Sequence, residues 1–118
     1  VEPPQTLALE ELGQLINQMK IYGKTITNPA QGSNTDIDWN GGTGMFAVTG
    51  SNFQSSTVKL QHKIGDTYLD IGNEANFTTN GATLFTTSAN SLRVAVDGSG
   101  STLAAVVEVQ PVYENKAL

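Results

Sequence analysis

The chain contains no cysteine among its 118 residues, which excludes disulfide frameworks and thiolate metal sites. Charge is also sparse: 14% of the residues are charged, and the formal net charge is −5. The six basic residues are scattered along the sequence. Because binding to nucleic-acid phosphates needs clustered Lys and Arg, we expect no nucleic-acid partner.

Signatures of catalysis are scarce as well. The single histidine, His62, would have to serve any Ser-His-Asp arrangement or transition-metal site alone, and no G-x-S-x-G nucleophile elbow accompanies it. Neither glycine-rich phosphate-binding pattern occurs. Asp66, Asp70 and Glu74 could supply paired glycosidase carboxylates, but their positions in a hairpin and the following loop favour solvated side chains. We therefore expect a protein that is not an enzyme and uses no cofactor.

Long apolar runs are missing too. The opening stretch VEPPQTLALEEL has no basic start and no long apolar core. No apolar run elsewhere approaches the roughly 20 residues of a membrane-spanning helix. We expect neither a secretory leader nor a membrane partner.

Residues 1–34 are predicted to form a helix followed by an extended arm. In TLALEELGQLINQMK, apolar side chains recur from Leu9 at i, i+3, i+7 and i+10, which places them on one face of a helix. A helix of about 14 residues is marginal alone, so this stripe must pack on its own sheet or on a neighbouring chain. The side chains predicted to make oligomer contacts are Leu9, Leu12, Ile16, Met19 and Tyr22.

Residues 35–118 are predicted to form an all-β domain, an antiparallel sandwich of jelly-roll type. Apolar and polar residues alternate in short segments separated by Gly, Ser, Asn and Asp, so each sheet should bury one face. The predicted strands are at about 35–39, 44–49, 57–63, 67–71, 83–87, 91–97 and 102–113. The predicted core is Ile37, Trp39, Phe46, Val48, Val58, Leu60, Leu69, Ile71, Leu92, Val94, Val96, Val107 and Val109.

Turn residues predict how these strands connect. The IGDTY stretch indicates a hairpin within residues 57–71, and the DGSGS stretch indicates another within residues 91–109. Asn40-Gly41 is a strong short-range hairpin signal within residues 35–49. In the preceding arm, Thr25–Thr27 can pair as a further strand.

The stretch TDIDWNGGTG begins like a calcium-binding loop. Asp36, Asp38 and Asn40 occupy positions 1, 3 and 5 of the D-x-[DN]-x-[DN]-G pattern. Position 12, which requires a bidentate acid, is Ala47, and strands rather than helices flank the run. We predict an outward-facing pair of aspartates on a strand, while a calcium site completed by a carboxylate from elsewhere stays open.

Exposed aromatic rings can serve as platforms on which sugars stack. Tyr68 has the opposite parity to Leu69 and Ile71, so we expect its ring to be exposed beside Asp70. One exposed ring leaves a glycan open as a ligand. The NFT triplet at Asn76 fits the N-glycosylation pattern, and we interpret it as coincidence.

The run GMFAVTGSNFQSSTVKLQHKIGDTYLDIG, followed by GATLFTT and SLRVAVDGSGSTLAAVVEV, resembles small β-sandwich proteins of tailed-bacteriophage virions. Their pattern is a TVxLQ…GD…DIG hairpin, an LRV…G strand, a Gly/Ser loop and a last apolar strand. The resemblance covers about residues 44–110. The matching residues are Thr57, Val58, Leu60, Gln61, Gly65, Asp66, Asp70, Ile71, Gly72, Leu92, Arg93, Val94 and Gly98.

The resemblance implies a capsid decoration (cement) protein, often trimeric, that clamps neighbouring major capsid subunits on the exterior of the virion. The N-terminal helix and arm have no counterpart in that pattern. We therefore hypothesise a non-enzymatic structural protein of a phage head, with the N-terminal third as the element that contacts other chains. The alternative is a carbohydrate-binding or adhesion module of a phage tail or baseplate, in a calcium-dependent or independent form.

Overall fold

The computed structural model describes residues 22–112 of the protein. These residues form nine β-strands, arranged in two antiparallel sheets and joined by loops. A short 3-10 turn, Asn73–Ala75, precedes the sixth strand. The strands are β1 (Lys24–Thr27), β2 (Asn34–Asp38), β3 (Gly42–Asn52), β4 (Val58–Ile64), β5 (Thr67–Asp70), β6 (Asn76–Phe77), β7 (Gly81–Thr87), β8 (Ser91–Val96) and β9 (Ala104–Pro111).

Pairing orders these strands into two layers. The four-stranded sheet has the order β1-β9-β3-β7. The five-stranded sheet has the order β2-β8-β4-β5, and the short strand β6 also pairs with β4. Buried side chains of both sheets form one apolar cluster, so the layers pack together. The predicted antiparallel two-sheet architecture is confirmed, whereas the predicted N-terminal helix lies outside the described residues.

Alternation along the strands builds the core. In β8, Leu92, Val94 and Val96 are buried, and the residues between them are half-buried on the opposite side. Val107 and Val109 repeat this pattern in β9. Burying each of these side chains contributes about 1.5–3 kcal/mol to the hydrophobic stabilisation of the fold. The other predicted core residues found buried are Ile37, Trp39, Phe46, Val48, Val58 and Leu60.

The prediction that Leu69 belongs to the core is wrong. Leu69 lies on the short edge strand β5, opposite His62 of β4, and its side chain is 49% exposed. Parity determines which side of the sheet a residue occupies, but burial also requires the other sheet to cover that point. Ile71, just beyond the strand, is half-buried against the core. The core also includes Phe53, Ala75, Phe85, Leu103 and Ala105, which are absent from the predicted set.

The hairpin within residues 57–71 is confirmed. Ile64 of β4 pairs with Thr67 of β5, and Gly65-Asp66 forms the two-residue connection. Gly65 has φ +63°, the left-handed conformation that glycine adopts without steric cost.

The hairpin predicted within residues 91–109 is wrong, because β8 and β9 belong to different sheets. The chain between them crosses the end of the sandwich and buries Leu103. A hydrogen bond from Leu103 N–H to Pro29 O (2.9 Å) and a bridge between Ala30 and Thr102 hold this crossing in place. The glycines and serines therefore mark a change of direction between sheets rather than a return beside the same strand.

The Asn40-Gly41 hairpin is wrong for the same reason. The preceding strand β2 pairs with β8 in the five-stranded sheet, and the following strand β3 lies in the four-stranded sheet. Backbone hydrogen bonds from Trp39 N–H to Asn90 O (3.1 Å) and from Gly41 N–H to Ala89 O (2.9 Å) hold the crossing. The turn residues thus connect the two layers.

Part of the predicted arm belongs to the sandwich. Strand β1 pairs antiparallel with β9 along its whole length, from Lys24 opposite Val109 to Thr27 opposite Val106. Ile26 packs against the core from this edge. The sandwich therefore includes residues before the predicted boundary at 35, and the expected pairing of Thr25–Thr27 is confirmed.

Candidate functional site: two unlike outer faces

The outward side of the four-stranded sheet is nearly uncharged and consists mostly of threonines and of small or apolar side chains; we call it the neutral face. One row runs across the strands from Gln110 of β9 through Met45 of β3 to Leu84 of β7. The side chain of Leu84 is 63% exposed. In the next row Ala47 lies between Ala82 of β7 and Glu108 of β9, so two small side chains and one carboxylate lie beside Met45 and Leu84. The other outward positions are Thr25, Thr27, Thr43, Thr49, Thr86 and Val106.

Charge is segregated between the two sheets. Within residues 22–112, the four-stranded sheet carries only Lys24 and Glu108 as charged residues. The five-stranded sheet and the loops that adjoin it carry the rest: Asp36, Asp38, Lys59, Lys63, Asp66, Asp70, Glu74, Arg93 and Asp97. Because the whole chain is acidic, the neutral face is where a second acidic surface meets the least repulsion.

The edge strand β7 continues the neutral face and lacks the usual protection against pairing. Exposed edges are commonly blunted by shortness, charge or proline. Strand β1 has four residues including Lys24, β2 carries two aspartates, and β5 has four residues including Asp70. By contrast, β7 has seven residues, none of them charged or proline, and it carries the exposed Leu84. Among the described edge strands, β7 therefore carries none of these protective features.

We call the outward side of the five-stranded sheet the charged face. Its side chains contact one another across the strands. Arg93 donates from Nε and Nη2 to Gln61 Oε1, at 3.1 and 2.9 Å. Gln61 Nε2 in turn donates to Asp70 Oδ1 at 2.8 Å. The guanidinium of Arg93 also lies 4.2 Å from the centre of the Tyr68 ring. These contacts join β8, β4 and β5 across the face.

Tyr68 is half-buried, so the expectation of an exposed ring is wrong. Its hydroxyl oxygen lies 2.9 Å from Ser91 Oγ, and Arg93 stacks on the ring. A cation on the ring occupies the surface on which a sugar would stack. The side chain therefore ties the edge strand to β8 instead of presenting a platform.

An open groove of about 530 Å³ lies between the β4–β5 turn and the β7–β8 connection. Its lining is mostly small and polar, with Lys63 as the titratable side chain. General acid–base chemistry needs a positioned partner set, which this lining lacks. The lining residues are Lys63, Ile64, Gly65, Ser88, Ala89, Asn90 and Ser91.

His62 contacts a buried threonine. Its Nδ1 lies 2.7 Å from Thr87 Oγ1, and the same oxygen accepts the backbone N–H of Ala89 at 3.1 Å. Thr87 is 7% exposed and belongs to the opposite sheet. The histidine thus connects the two layers, which is a structural role.

The calcium-like run forms strand β2 and the crossing after it. Asp36 and Asp38 are exposed, whereas Ile37 and Trp39 between and after them are buried. Asn40, the third candidate ligand, is exposed on the crossing. Within residues 22–112, no group of three or more His, Asp or Glu side chains could hold a metal ion. The outward orientation of the two aspartates is as predicted.

Asn76, the asparagine of the NFT triplet, lies on the short strand β6. The amide oxygen of Asn76 is buried without a hydrogen-bond partner, in a side chain that β6 holds beside β4. An attached glycan would need this amide at the surface.

Among residues 22–112, no helix is long and apolar enough to cross a membrane.

The residues predicted to contact other chains fall largely outside the described part. Leu9, Leu12, Ile16 and Met19 precede it, and the last of the set, Tyr22, is half-buried against the core. Within residues 22–112, the most distinctive surface is the neutral face, which is not among the predicted sites. Comparison with models of known protein families and with curated proteins found no match for this chain.

Proposed function

We propose that this protein is a non-enzymatic structural protein of a phage head, a decoration protein that oligomerises and clamps neighbouring major capsid subunits on the exterior of the virion. The observation that carries the proposal is the neutral face with its exposed Leu84. A structural protein of this kind needs a rigid body and a surface for other chains. The described sandwich supplies a packed core, and the segregation of charge supplies the surface.

The contact element in this proposal has two parts. One is the predicted N-terminal helix with its stripe of apolar side chains, and the other is the neutral face with the β7 edge. Burying an exposed leucine contributes about 1.5–3 kcal/mol, and an open edge can add backbone hydrogen bonds. We propose a trimer as the oligomeric state, as the resemblance to virion proteins implies.

Co-sedimentation with phage heads tests the proposal. Heads from the phage that carries this gene, stripped of the protein, are mixed with purified wild type or with Leu84→Glu. We expect the wild type to sediment with the heads and Leu84→Glu to bind at least about tenfold more weakly, because a buried unpaired carboxylate opposes the contact.

The matched control for this experiment is Leu69→Glu. Leu69 is likewise an exposed leucine on an edge strand, but it belongs to the five-stranded sheet. We expect this variant to bind heads like the wild type. Wild-type protein that stays in the supernatant, or equal loss of binding in both variants, would contradict the proposal.

The carbohydrate-binding alternative has weaker support. Tyr68, the ring on which it depended, is covered by Arg93 and contacts Ser91. Absence of binding on a glycan array would remove it. Binding that Tyr68→Leu abolishes would favour it over the virion proposal.

A further inference from the structure

We infer that the contact between His62 and Thr87 is a pH-sensitive link between the two sheets, which requires a neutral imidazole ring. His62 is the only histidine of the chain, and histidine is the side chain whose charge ordinarily changes between about pH 5 and 8. Such a link goes beyond the proposed function, because it concerns how the sandwich itself responds to acid. It can be tested on the purified protein, without phage heads.

The hydrogen bonds of Thr87 determine which of the two side chains donates. The hydroxyl oxygen accepts the backbone N–H of Ala89 at 3.1 Å and lies 2.7 Å from Nδ1 of His62. A hydroxyl group has one hydrogen to donate and two lone pairs that accept. Thr87 is 7% exposed, and the described residues offer its hydroxyl no other hydrogen-bond partner. The hydroxyl hydrogen is therefore donated to Nδ1 of His62.

This direction assigns the state of the imidazole ring. In a neutral histidine one ring nitrogen donates and the other accepts, whereas in a protonated histidine both nitrogens donate. Because Nδ1 of His62 accepts the hydroxyl hydrogen, the ring is neutral and its own hydrogen is on Nε2. The tautomer is thus assigned from the hydrogen-bond partners on the page.

No acidic side chain faces His62 from the described elements packed against it. On its own side of β4 the nearest positions are Leu60 and Ile64. The residues opposite it are Leu69 of β5 and Leu92 of β8. Within residues 81–90, β7 and its connection to β8 carry no charged residue. The charged and titratable residues of β4, β5 and β8 lie at outward positions or in the β4–β5 turn: Lys59, Lys63, Asp66, Tyr68, Asp70 and Arg93.

Proton uptake by His62 would reverse this hydrogen bond. Nδ1 would then donate, so the oxygen of Thr87 would accept two hydrogens and its own hydrogen would have no acceptor among the described residues. A charged donor strengthens the bond, but we expect the unpaired buried hydroxyl and the lack of a facing carboxylate to outweigh that gain. In the unfolded chain water satisfies both groups at any pH. The free energy of unfolding should therefore fall as the pH falls through the range in which histidine is protonated.

Urea denaturation of the full chain, purified without a histidine tag, tests this link. The wild type is compared with His62→Asn at about pH 7.5 and at about pH 5, on either side of the range in which histidine titrates. The amide oxygen of the asparagine can accept the hydroxyl hydrogen of Thr87, and it does not titrate. On acidification we expect the equilibrium constant of unfolding to rise at least about threefold more in the wild type than in His62→Asn. Equal rises in the two proteins would overturn the inference.

Variants of Thr87 repeat the comparison from the other side of the contact. Thr87→Ser keeps the hydroxyl and should keep the pH dependence of the wild type. Thr87→Val lacks the hydroxyl and should respond to acid no more than His62→Asn does. A valine variant with the full response of the wild type would place the response elsewhere in the molecule and overturn the inference, even if His62→Asn does not fold.

Nuclear magnetic resonance of the wild type is a further test that needs no variant. Because His62 is the only histidine, its ring signals are unambiguous. At about pH 7.5, long-range proton–nitrogen correlations should show a hydrogen on Nε2 and none on Nδ1. A neutral ring with its hydrogen on Nδ1 would overturn the inference.

Discussion

Gly44 is the residue whose replacement we expect to disturb the core most directly. It lies on the inner side of β3, where the rings of Trp39 and Phe85 pack at a centroid distance of 5.4 Å. A side-chain carbon at Gly44 would lie 2.5 Å from Phe85 and 2.6 Å from Trp39. The glycine leaves the space that the two rings occupy.

We therefore expect Gly44→Ala to lower the free energy of unfolding by about 1–3 kcal/mol, the usual cost of overpacking a core. Urea denaturation followed by fluorescence measures it. Gly72→Ala is the control, because the contact there is with the end of the flexible Glu74 side chain, which can move away. A cost at Gly72 as large as that at Gly44 would show that the rings do not set the effect.

A second prediction at this scale concerns Thr87. Its hydroxyl oxygen accepts the N–H of Ala89 and bonds His62. Thr87→Val keeps the shape and removes the oxygen, so a buried N–H loses its acceptor, at a cost of about 1–3 kcal/mol. Thr87→Ser keeps the oxygen and should recover most of that loss. Thermal unfolding compares the two, and a Thr87→Ser variant as destabilised as Thr87→Val would contradict the role assigned to the hydroxyl oxygen.

At the scale of strands, the charged face joins the edge strand β5 to its neighbours through side chains. Tyr68 of β5 receives Arg93 of β8 on its ring, although β4 lies between them. Stacking of a guanidinium on an aromatic ring is worth about 0.5–1 kcal/mol at exposed sites. The short strand β5 therefore depends on more than its own hydrogen bonds.

A double-mutant cycle on Arg93→Lys and Tyr68→Leu measures this link. We expect a coupling energy of about 0.5–1 kcal/mol, because lysine cannot reproduce the stacked, forked contact of arginine. Tyr68→Phe keeps the ring and should keep most of the coupling while losing the contact with Ser91. Additive single changes, within the error of chemical denaturation, would mean that the stacking contributes nothing to stability.

For the whole molecule, the described residues 22–112 already contain an apolar cluster that draws on both sheets. We expect removal of residues 1–21 to leave a folded β protein with one cooperative thermal transition, because both sheets and the packed cluster between them are kept. Circular dichroism and calorimetry measure this, and a loss of β structure would contradict it.

The same deletion should change the oligomeric state. The deletion removes the predicted apolar stripe, which is one of the two parts of the proposed contact element. Light scattering coupled to size exclusion should give the monomer mass for the truncated chain and a larger mass for the full chain. A full chain that is already monomeric at high concentration would contradict the proposed oligomer.

The sequence by itself determined most of the strands and most of the inward residues. Phe46, Val94 and Val107 face the core because alternation with period two is a local property of an extended chain. The turn residues Gly65 and Asp66 likewise predict the hairpin between β4 and β5, because a two-residue turn depends only on neighbouring residues. The inward and outward sides of β2, and so the exposure of Asp36, also follow from the pattern alone.

Only the tertiary structure decided which strands become neighbours. The same kinds of turn residue join β4 to β5 within one sheet and carry β8 to β9 between sheets. Packing against distant segments, such as the contact of Leu103 with Pro29, chooses between these outcomes. Leu69 is likewise exposed because the opposite sheet does not cover its position, which only the packing of the two sheets determines. The neutral face forms because the sheet brings together Met45, Leu84 and Val106, which are far apart along the chain. No local sequence pattern predicts that these residues share one face.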